Sequence, residues 1–239
     1  MRILISIRLF ENFTGAEMYV YELTRELMRT GNEVTITAPL KALGPAMGAR
    51  AQAAGLKIIP AEALRPEMEF DILHLNQRYP SDRILAMFPK TPAVSTVHSQ
   101  FECEAPILSP RIFRYIAIRP DIKDKLEKTD GVKPERVDLV PNGFDTTRFN
   151  RNYEYLREGA QDPEAKPIVL FVGTIDPRRL DAIRKTAEYC RSTDRHFWLS
   201  GLACAGVKLG DIPKNAVVFP QTWEIEKRVQ ACDETAGIM

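Results

Sequence analysis

The feature that most constrains this sequence is the regular alternation of short β-branched runs with longer segments of helical periodicity. The chain begins with RILISI, continues with GAEMYVYELTRELMRT and returns to EVTITA. In the second of these, Ala16, Val20, Leu23 and Leu27 recur at helical spacing, and Gly31 follows as a C-terminal cap. A repeated order of strand, helix and strand predicts a parallel sheet covered by helices.

Five further runs continue this first series. They are short, rich in β-branched residues and mostly non-alternating, which is typical of strands covered on both faces: GLKIIP, DILHLN, AVSTVH, RYIAI and RVDLV. We therefore predict an α/β fold with a doubly wound, Rossmann-like first domain whose final strand, RVDLV, is buried.

A polar segment with two prolines, NRNYEYLREGAQDPEAKP, interrupts the alternation. We predict a domain boundary there, with a first domain at residues 1–160 and a second at 161–239. The second series comprises PIVLFVG, RRLDAIRKTAEYC, HFWLSG, AVVFP and WEIEKRVQACDE, which are predicted as a strand, a helix, two strands and a helix. Because this is about half of what an open α/β domain needs, we expect a partial second Rossmann-like domain.

Charge balance, apolar runs and cysteine spacing together disfavour several classes of partner. The 33 basic residues nearly cancel the 32 acidic ones, so no overall field attracts nucleic acid. No apolar run approaches the roughly 18 residues that indicate a transmembrane segment. The four cysteines form no CxxC pair and predict no metal site. We expect a cytoplasmic protein with reduced thiols, and peripheral membrane contact through an acceptor stays open.

The candidate functional residues follow the predicted strands, because ligands of open α/β sheets bind beyond the carboxyl ends of the strands. After the first strand, Gly15 begins a helix whose free N–H groups would suit an anion. Glu17 would repel a phosphate and is better suited to accept hydrogen bonds from a neutral hydroxyl. The structural alternative is that Gly15 relieves a tight turn and Glu17 complements the helix dipole.

Two histidines have different predicted roles. His74 lies inside the strand DILHLN, where a hydrogen-bonded core histidine is the favoured interpretation. His98 ends the strand AVSTVH and precedes the polar segment SQFECE. That position favours a functional role over a loop cap.

Two more loops carry candidates. In VPNGFDTTRF, Asn142 and Asp145 are candidate ligand-binding residues, and turn chemistry alone favours an Asx-type turn. In FVGTIDPRRL, Gly173 ends a strand and Arg178 and Arg179 begin a helix. Because cations at a helix N-terminus are unfavourable unless an anion is also present, the two arginines predict a phosphate or diphosphate site. A solvated basic turn is the alternative.

Familiar enzyme motifs are absent. The sequence contains no GxGxxG after the first strand, no GxxxxGK[ST], no GxSxG and no HExxH. A dinucleotide dehydrogenase, a P-loop NTPase, an α/β-hydrolase and a zinc protease are therefore disfavoured.

Taken together, these stretches resemble the family-four glycosyltransferases, which have the GT-B architecture of two Rossmann-like domains. The stretch VPNGFDTTRF is similar to the family's Pro-Asn-Gly-Val-Asp segment with a Phe four residues after the Asp. Similar likenesses are carried by GAEMYVYELTRELMRTGNEVTI, DILHLN, VSTVH and VLFVGTIDPRRL. Thr174 stands where the family usually has a phosphate-binding arginine, and the family's paired glutamates of the donor domain have no counterpart here.

The resemblance implies a retaining, metal-independent hexosyltransferase that uses no cofactor. The substrates would be a nucleotide-sugar donor, UDP- or GDP-linked, and a glycan, lipid-linked or small-molecule acceptor. His98 and Arg179 would be the catalytic residues, because His98 would contact the transferred sugar and Arg179 the diphosphate. The remaining implied substrate-binding residues are Gly15, Glu17, Asn142, Asp145, Gly173, Thr174 and Arg178.

Two other functions fit part of the pattern. A non-catalytic remnant of a GT-B enzyme would bind a glycan or a sugar phosphate but no nucleotide. A sugar-nucleotide epimerase would share the architecture, but the VPNGFD segment disfavours it.

Overall fold

A computed structural model describes residues 1–149, 166–204 and 206–236. The chain forms two compact units, Met1–Phe144 and Asp145–Met239. The predicted domain boundary at residues 160 and 161 falls outside the described residues.

The first unit is an α/β layer structure around a seven-stranded sheet. Its strands are β1 Arg2–Ser6, β2 Glu33–Ala38, β3 Lys57–Pro60, β4 Ile72–Leu75, β5 Ala93–Val97, β6 Ile112–Ala117 and β7 Val137–Leu139. Its helices are α1 Gly15–Arg29, α2 Pro45–Ala53, α3 Arg78–Met87 and α4 Pro120–Lys128.

All strands of this sheet are parallel, in the order β3-β2-β1-β4-β5-β6-β7. The order reverses between β1 and β4, which are aligned with Ile3 opposite Ile72 and Ser6 opposite Leu75. The loops after these two strands diverge to opposite sides and leave a crevice at the carboxyl edge. The doubly wound fold predicted for this part is confirmed.

Helix α1 shows how local sequence sets an element. Gly31 has a φ of +85° and its N–H bonds the carbonyl of Met28, while Asn32 bonds the carbonyl of Leu27. This pair of bonds is a Schellman cap, as the position of Gly31 predicted. The buried face of the helix contains Val20 and Tyr21.

Strand β7 differs from its prediction. We expected RVDLV to be a buried strand, but only Val137 is buried, whereas Asp138 and Leu139 are exposed. The reason is its position at the edge of the sheet, where it pairs with β6 alone. An apolar run does not reveal whether a strand is central or at an edge.

The second unit contains the strands β8 Ile168–Val172, β9 His196–Ser200, β10 Ala216–Phe219 and β11 Glu234–Thr235, with the helices α5 Leu180–Ser192 and α6 Ile225–Ala231. The parallel strand order is β10-β9-β8-β11. It repeats the arrangement of β3-β2-β1-β4 in the first unit. Its core packs Val169, Phe171, Phe197 and Leu199 against the apolar face of α5.

The predicted C-terminal end of the last helix, α6, is wrong. The sequence pattern predicts a helix to Glu234, but α6 ends at Ala231 and Cys232 is extended. Glu234 and Thr235 instead pair with β8. A free strand edge therefore overrides the helical propensity of these residues.

Candidate active site

The loop after β1 is held closed by Glu17. Its side chain is buried, and its carboxylate accepts the backbone N–H of Glu11 at 2.6 Å, of Asn12 at 3.0 Å and of Thr14 at 3.1 Å. The hydroxyl of Thr14 donates to the same carboxylate. The acceptor capacity of Glu17 is thus directed to its own loop, which makes it a positioning residue for the start of α1.

Gly15 lies at the exposed start of α1. A Cβ atom added to it would meet no other atom within 4 Å, so the fold does not need a glycine there. The tight-turn alternative is therefore disfavoured. The open space leaves room for a ligand to approach the backbone of the first turn.

His98 lies at the carboxyl end of β5 and is oriented by Asn76. The amide Nδ2 of Asn76 donates to the carbonyl of Ser6 at 2.7 Å, so its Oδ1 faces the imidazole as an acceptor. The Nε2 of His98 lies 2.8 Å from that Oδ1 and therefore carries the proton. Its Nδ1 is then an acceptor to which none of the described residues donates a hydrogen bond.

A second hydrogen-bonded group surrounds His74. Its Nε2 lies 2.7 Å from the hydroxyl of Thr96, and the hydroxyl of Tyr19 lies 3.1 Å from the same oxygen. The rings of Tyr19 and His98 also form a T-shaped pair, with ring centroids 4.8 Å apart. His74 is buried, as expected for a core histidine, and Tyr19 connects it to His98.

Both histidines are neutral at physiological pH. Burial lowers the pKa of His74 to about 4. Burial, and then the neighbouring His74, lowers the pKa of His98 to about 4. A neutral His98 accepts a hydrogen bond through Nδ1 but is a weak proton acceptor, so it is suited to positioning a hydroxyl.

The loop after β8 depends on a contact between two glycines. Gly173 has a φ of +156°, and its N–H donates to the carbonyl of Ser200 at 3.0 Å. A Cβ atom added to Gly201 would lie 1.7 Å from the carbonyl oxygen of Gly173. The two strand ends therefore approach each other more closely than any side chain allows.

Asp176 gathers the two arginines predicted to bind phosphate. Its carboxylate accepts the N–H of Arg178 at 2.9 Å and the Nη2 of that residue at 3.0 Å, and it lies 2.6 Å from Nη1 of Arg179. Burial acts to raise the pKa of Asp176, but the hydrogen bond from Arg178 and the charge of Arg179 outweigh it and hold the pKa below its usual value. One carboxylate thus contacts two guanidinium groups, and residues 173–179 themselves carry two positive charges and one negative charge.

The two arginines differ in exposure. The side chain of Arg178 is 61% exposed, whereas that of Arg179 is 27% exposed. Arg179 also donates from Nη1 to the carbonyl of Thr174 at 3.3 Å. The loop therefore brings together four predicted residues: Gly173, Thr174, Arg178 and Arg179.

The stretch VPNGFDTTRF is divided between the two units. Asn142 is exposed in the first. Asp145 belongs to the second, where its Oδ1 accepts the N–H of Thr147 at 2.9 Å. This is the Asx-type turn that turn chemistry favoured. The Arg148 that follows donates to Glu226 at 2.7 Å and lies 4.3 Å from the centre of the Trp223 ring.

Sequence reasoning missed several residues of these sites. Asn76, Tyr19 and Thr96 orient or contact the histidines, and Asp176 and Gly201 shape the loop after β8. Asp176 had a visible signal, because it lies two and three residues before the arginines that it binds. The part of the chain described by the structure contains no group of three or more His, Cys, Asp or Glu placed to hold a metal ion. No described helix has the length and apolarity to cross a membrane.

Comparison with known proteins identifies the class. The model of Glycosyltransferase Family 4 matches residues 13–148, which is more than half of the 239 residues, and the chain belongs to that family. No match was found among curated protein sequences. Glycosyl transfer as a general activity follows from the family.

Solved glycosyltransferase structures have the same fold. One from Rickettsia africae has 13% identity and a TM-score of 0.71, with 98% of this chain and 72% of that chain covered. HepE from Anabaena, solved with UDP-glucose, has 16% identity and a TM-score of 0.74, with 98% and 73% covered. WaaG, a glycosyltransferase involved in lipopolysaccharide biosynthesis, has 12% identity, a TM-score of 0.58 and coverage of 98% and 74%. The predicted GT-B-like class, with two Rossmann-like units in one chain, is confirmed.

Proposed function

We propose that this protein transfers a hexose from a nucleoside-diphosphate sugar to an acceptor hydroxyl. The observation that carries this proposal is the cationic loop after β8, where Arg178 and Arg179 share the buried carboxylate of Asp176 beside Gly173. This loop lies at the carboxyl edge of a Rossmann-like sheet, where such folds bind their ligands. The UDP-glucose complex of the similar Anabaena protein HepE supports a nucleotide-sugar donor.

The two guanidinium groups would act on the leaving group. As the bond to the anomeric carbon breaks, the nucleoside diphosphate gains negative charge, and fixed cations stabilise that charge in the transition state. Arg179 is the better placed of the two because it is less exposed and its Nη1 is held by Asp176 and Thr174. Arg178 would supply additional charge from the solvent side.

His98 would position the transferred sugar. Its Nδ1 can accept a hydrogen bond from a sugar hydroxyl, and Asn76 fixes the ring in the tautomer that this requires. A neutral imidazole accepts this bond without adding charge to the site. We propose that the first unit binds the acceptor and the second unit the donor.

The finer details of the proposal are retention of anomeric configuration, a cytoplasmic location, and independence of metal ions and cofactors. The arginines would stabilise the diphosphate in the way that a divalent cation does in other enzymes. Transfer that survives EDTA would support this, and the anomeric configuration of the product, read from its NMR coupling constants, would test retention.

The decisive experiment is thermal unfolding with UDP, GDP, ADP and their hexose conjugates. A ligand at about 100 times its dissociation constant stabilises the folded state by roughly 2.7 kcal/mol, which shifts the midpoint measurably. We expect one nucleotide family to shift it and Arg179→Ala to abolish the shift. Arg191→Ala, which removes an exposed arginine from α5, is the matched control.

The panel also tests the alternative function. Stabilisation by a glycan or a sugar phosphate, with no response to any nucleotide, would contradict donor binding and support a non-catalytic binding module. Product analysis after incubation with nucleotide sugars would reveal an epimerase as a change of sugar without an acceptor.

A further inference from the structure

Arg228 in α6 is a partly buried cation without an acidic partner among the described residues. Its Nη1 donates to the hydroxyl of Ser200 at 2.5 Å and to the carbonyl of Pro220 at 2.7 Å. Its guanidinium carbon lies 4.8 Å from the centre of the Phe219 ring. All three contacts are uncharged.

The other arginines of this unit that are held in networks have carboxylate partners. Arg148 pairs with Glu226, Arg195 pairs with Glu234, and Arg178 and Arg179 share Asp176. Burial lowers the pKa of Arg228, and no acid in the described part of the chain offsets it. The described residues therefore leave this partly buried guanidinium without a counter-ion, and a bound anion would supply one.

The position of Arg228 indicates which anion would supply that charge. Ser200 and Phe219 are the last residues of β9 and β10, so the guanidinium lies at the carboxyl edge of the sheet. The next residue after Ser200 is Gly201, whose Cα approaches the carbonyl of Gly173 in the loop after β8. Arg228 is therefore anchored at the strand end that packs directly against this loop.

We infer that Arg228 is a further cationic residue of the donor site and contacts a phosphate group of a nucleoside diphosphate. This inference rests on the proposed function and adds to it a residue from α6. Ser200 and the carbonyl of Pro220 hold Nη1 in place, while Nε and Nη2, which bond none of the described residues, can donate to phosphate oxygens. Arginine suits this role because its planar fork binds two oxygens at once.

A purely structural role makes a different prediction. If Arg228 only fastens α6 to the sheet through Ser200 and Pro220, its loss lowers stability and affects every ligand equally. If it contacts phosphate, its loss affects phosphate-bearing ligands alone. Matched ligands with and without phosphate separate these two roles.

Calorimetric titration of the whole chain with UDP, GDP, ADP, their nucleosides and inorganic pyrophosphate is the test. For Arg228→Gln we expect affinity for the diphosphates and pyrophosphate to fall about 10- to 100-fold, the usual range for a hydrogen bond to a charged group. Nucleoside affinity should be unchanged. Arg228→Lys should retain part of the affinity, and Arg191→Gln all of it.

Ser200→Ala provides a second route if Arg228→Gln does not fold. It removes one bond that orients the guanidinium but keeps the charge, and a several-fold selective loss of diphosphate affinity is expected. Equal diphosphate binding by the wild type and Arg228→Gln would overturn this inference and leave the proposed function standing. A parallel loss of nucleoside and diphosphate binding would also overturn it. A wild-type chain that binds neither nucleotides nor pyrophosphate would overturn both.

Discussion

The carboxyl edges of the two sheets have opposite chemistry although their first four strands have the same order. In the first unit, the carboxylate of Glu17 accepts hydrogen bonds from backbone N–H groups of its own loop, and His74 and His98 are neutral. In the second unit, the loop of residues 173–179 carries two guanidinium groups, Arg178 and Arg179, and one carboxylate, Asp176, which contacts both. The first edge is suited to neutral hydroxyls and the second to anions, which fits the division of acceptor and donor proposed above. Strand order thus sets where a site lies, and local charge sets what it binds.

The largest effect is expected at the glycine contact of the cationic edge. In Gly201→Ala the new Cβ would lie 1.7 Å from a backbone oxygen, and neither strand end can move without breaking the pairing of β8 with β9. We expect the second unit to lose about 4 kcal/mol or more. Both tryptophans, Trp198 and Trp223, belong to this unit, so urea unfolding followed by tryptophan fluorescence reports on it selectively.

Gly210→Ala is the matched control, since a Cβ there meets nothing within 4 Å. If Gly201→Ala unfolds at the same urea concentration as this control, then Gly201 and Gly173 are not in close contact.

The sequence predicted the positions of the strand ends better than it predicted the hydrogen-bond partners of the site residues. Strand ends could be read from β-branched runs because burial on both faces leaves a continuous apolar signal. Asn76 could not be assigned to His98, because the two residues are 22 positions apart and only the fold brings them together. The role of Glu17 was missed for the opposite reason. A carboxylate that satisfies its own loop has the same sequence signature as one that awaits a ligand.

The neutral edge should make the first unit sensitive to mild acid. The folded-state pKa of each histidine is about 4, below the usual unfolded value of about 6.5. The unfolded chain therefore binds more protons in this range, and stability is present above about pH 6.5 and falls as the pH decreases toward 4. Each histidine should contribute a loss on the order of 3 kcal/mol across this window.

Circular dichroism measured against pH, in parallel with tryptophan fluorescence, separates this effect from changes in the second unit. We expect His98→Gln to reduce the loss by about half if the two histidines contribute equally. A wild-type protein whose stability is constant from neutral pH down to about pH 4.5 would show that the histidines are not held neutral.

Asp176→Asn tests how much the charge of Asp176 stabilises the loop that contains Arg178 and Arg179. An asparagine keeps an oxygen for the N–H groups of Arg178 and Arg179 but removes the negative charge, so a stability loss of about 1 to 2 kcal/mol is expected at neutral pH, discounted for the exposure of Arg178. Because the folded pKa of Asp176 is depressed, this contribution is present above the unfolded value of about 4 and is lost below it.

The same variant should bind nucleoside diphosphates several-fold more tightly. The carboxylate no longer competes for the arginines, and a nearby unit charge contributes about 1 kcal/mol or more. Asp181→Asn, which breaks an exposed pair with Lys185 in the same helix, should change neither stability nor affinity appreciably. Weaker diphosphate binding by Asp176→Asn would mean that Asp176 organises the arginines for the ligand instead of competing with it.

The smallest change in stability, and the sharpest test of the neutral edge, is expected from Gly15→Ala. The added methyl group meets no atom within 4 Å, and alanine is the better helix former by about 1 kcal/mol in a helix interior, so stability should stay constant or rise slightly. Gly48→Ala in α2 has the same open surroundings and serves as the control. If the backbone at Gly15 is a place of close approach for the substrate, transfer should fall by a factor of about 10 to 100 in Gly15→Ala alone, since small displacements of a bound substrate are costly. Equal transfer rates in the two variants would place the substrate elsewhere on the first unit and leave His98 and Asn76 as the better guide to its position.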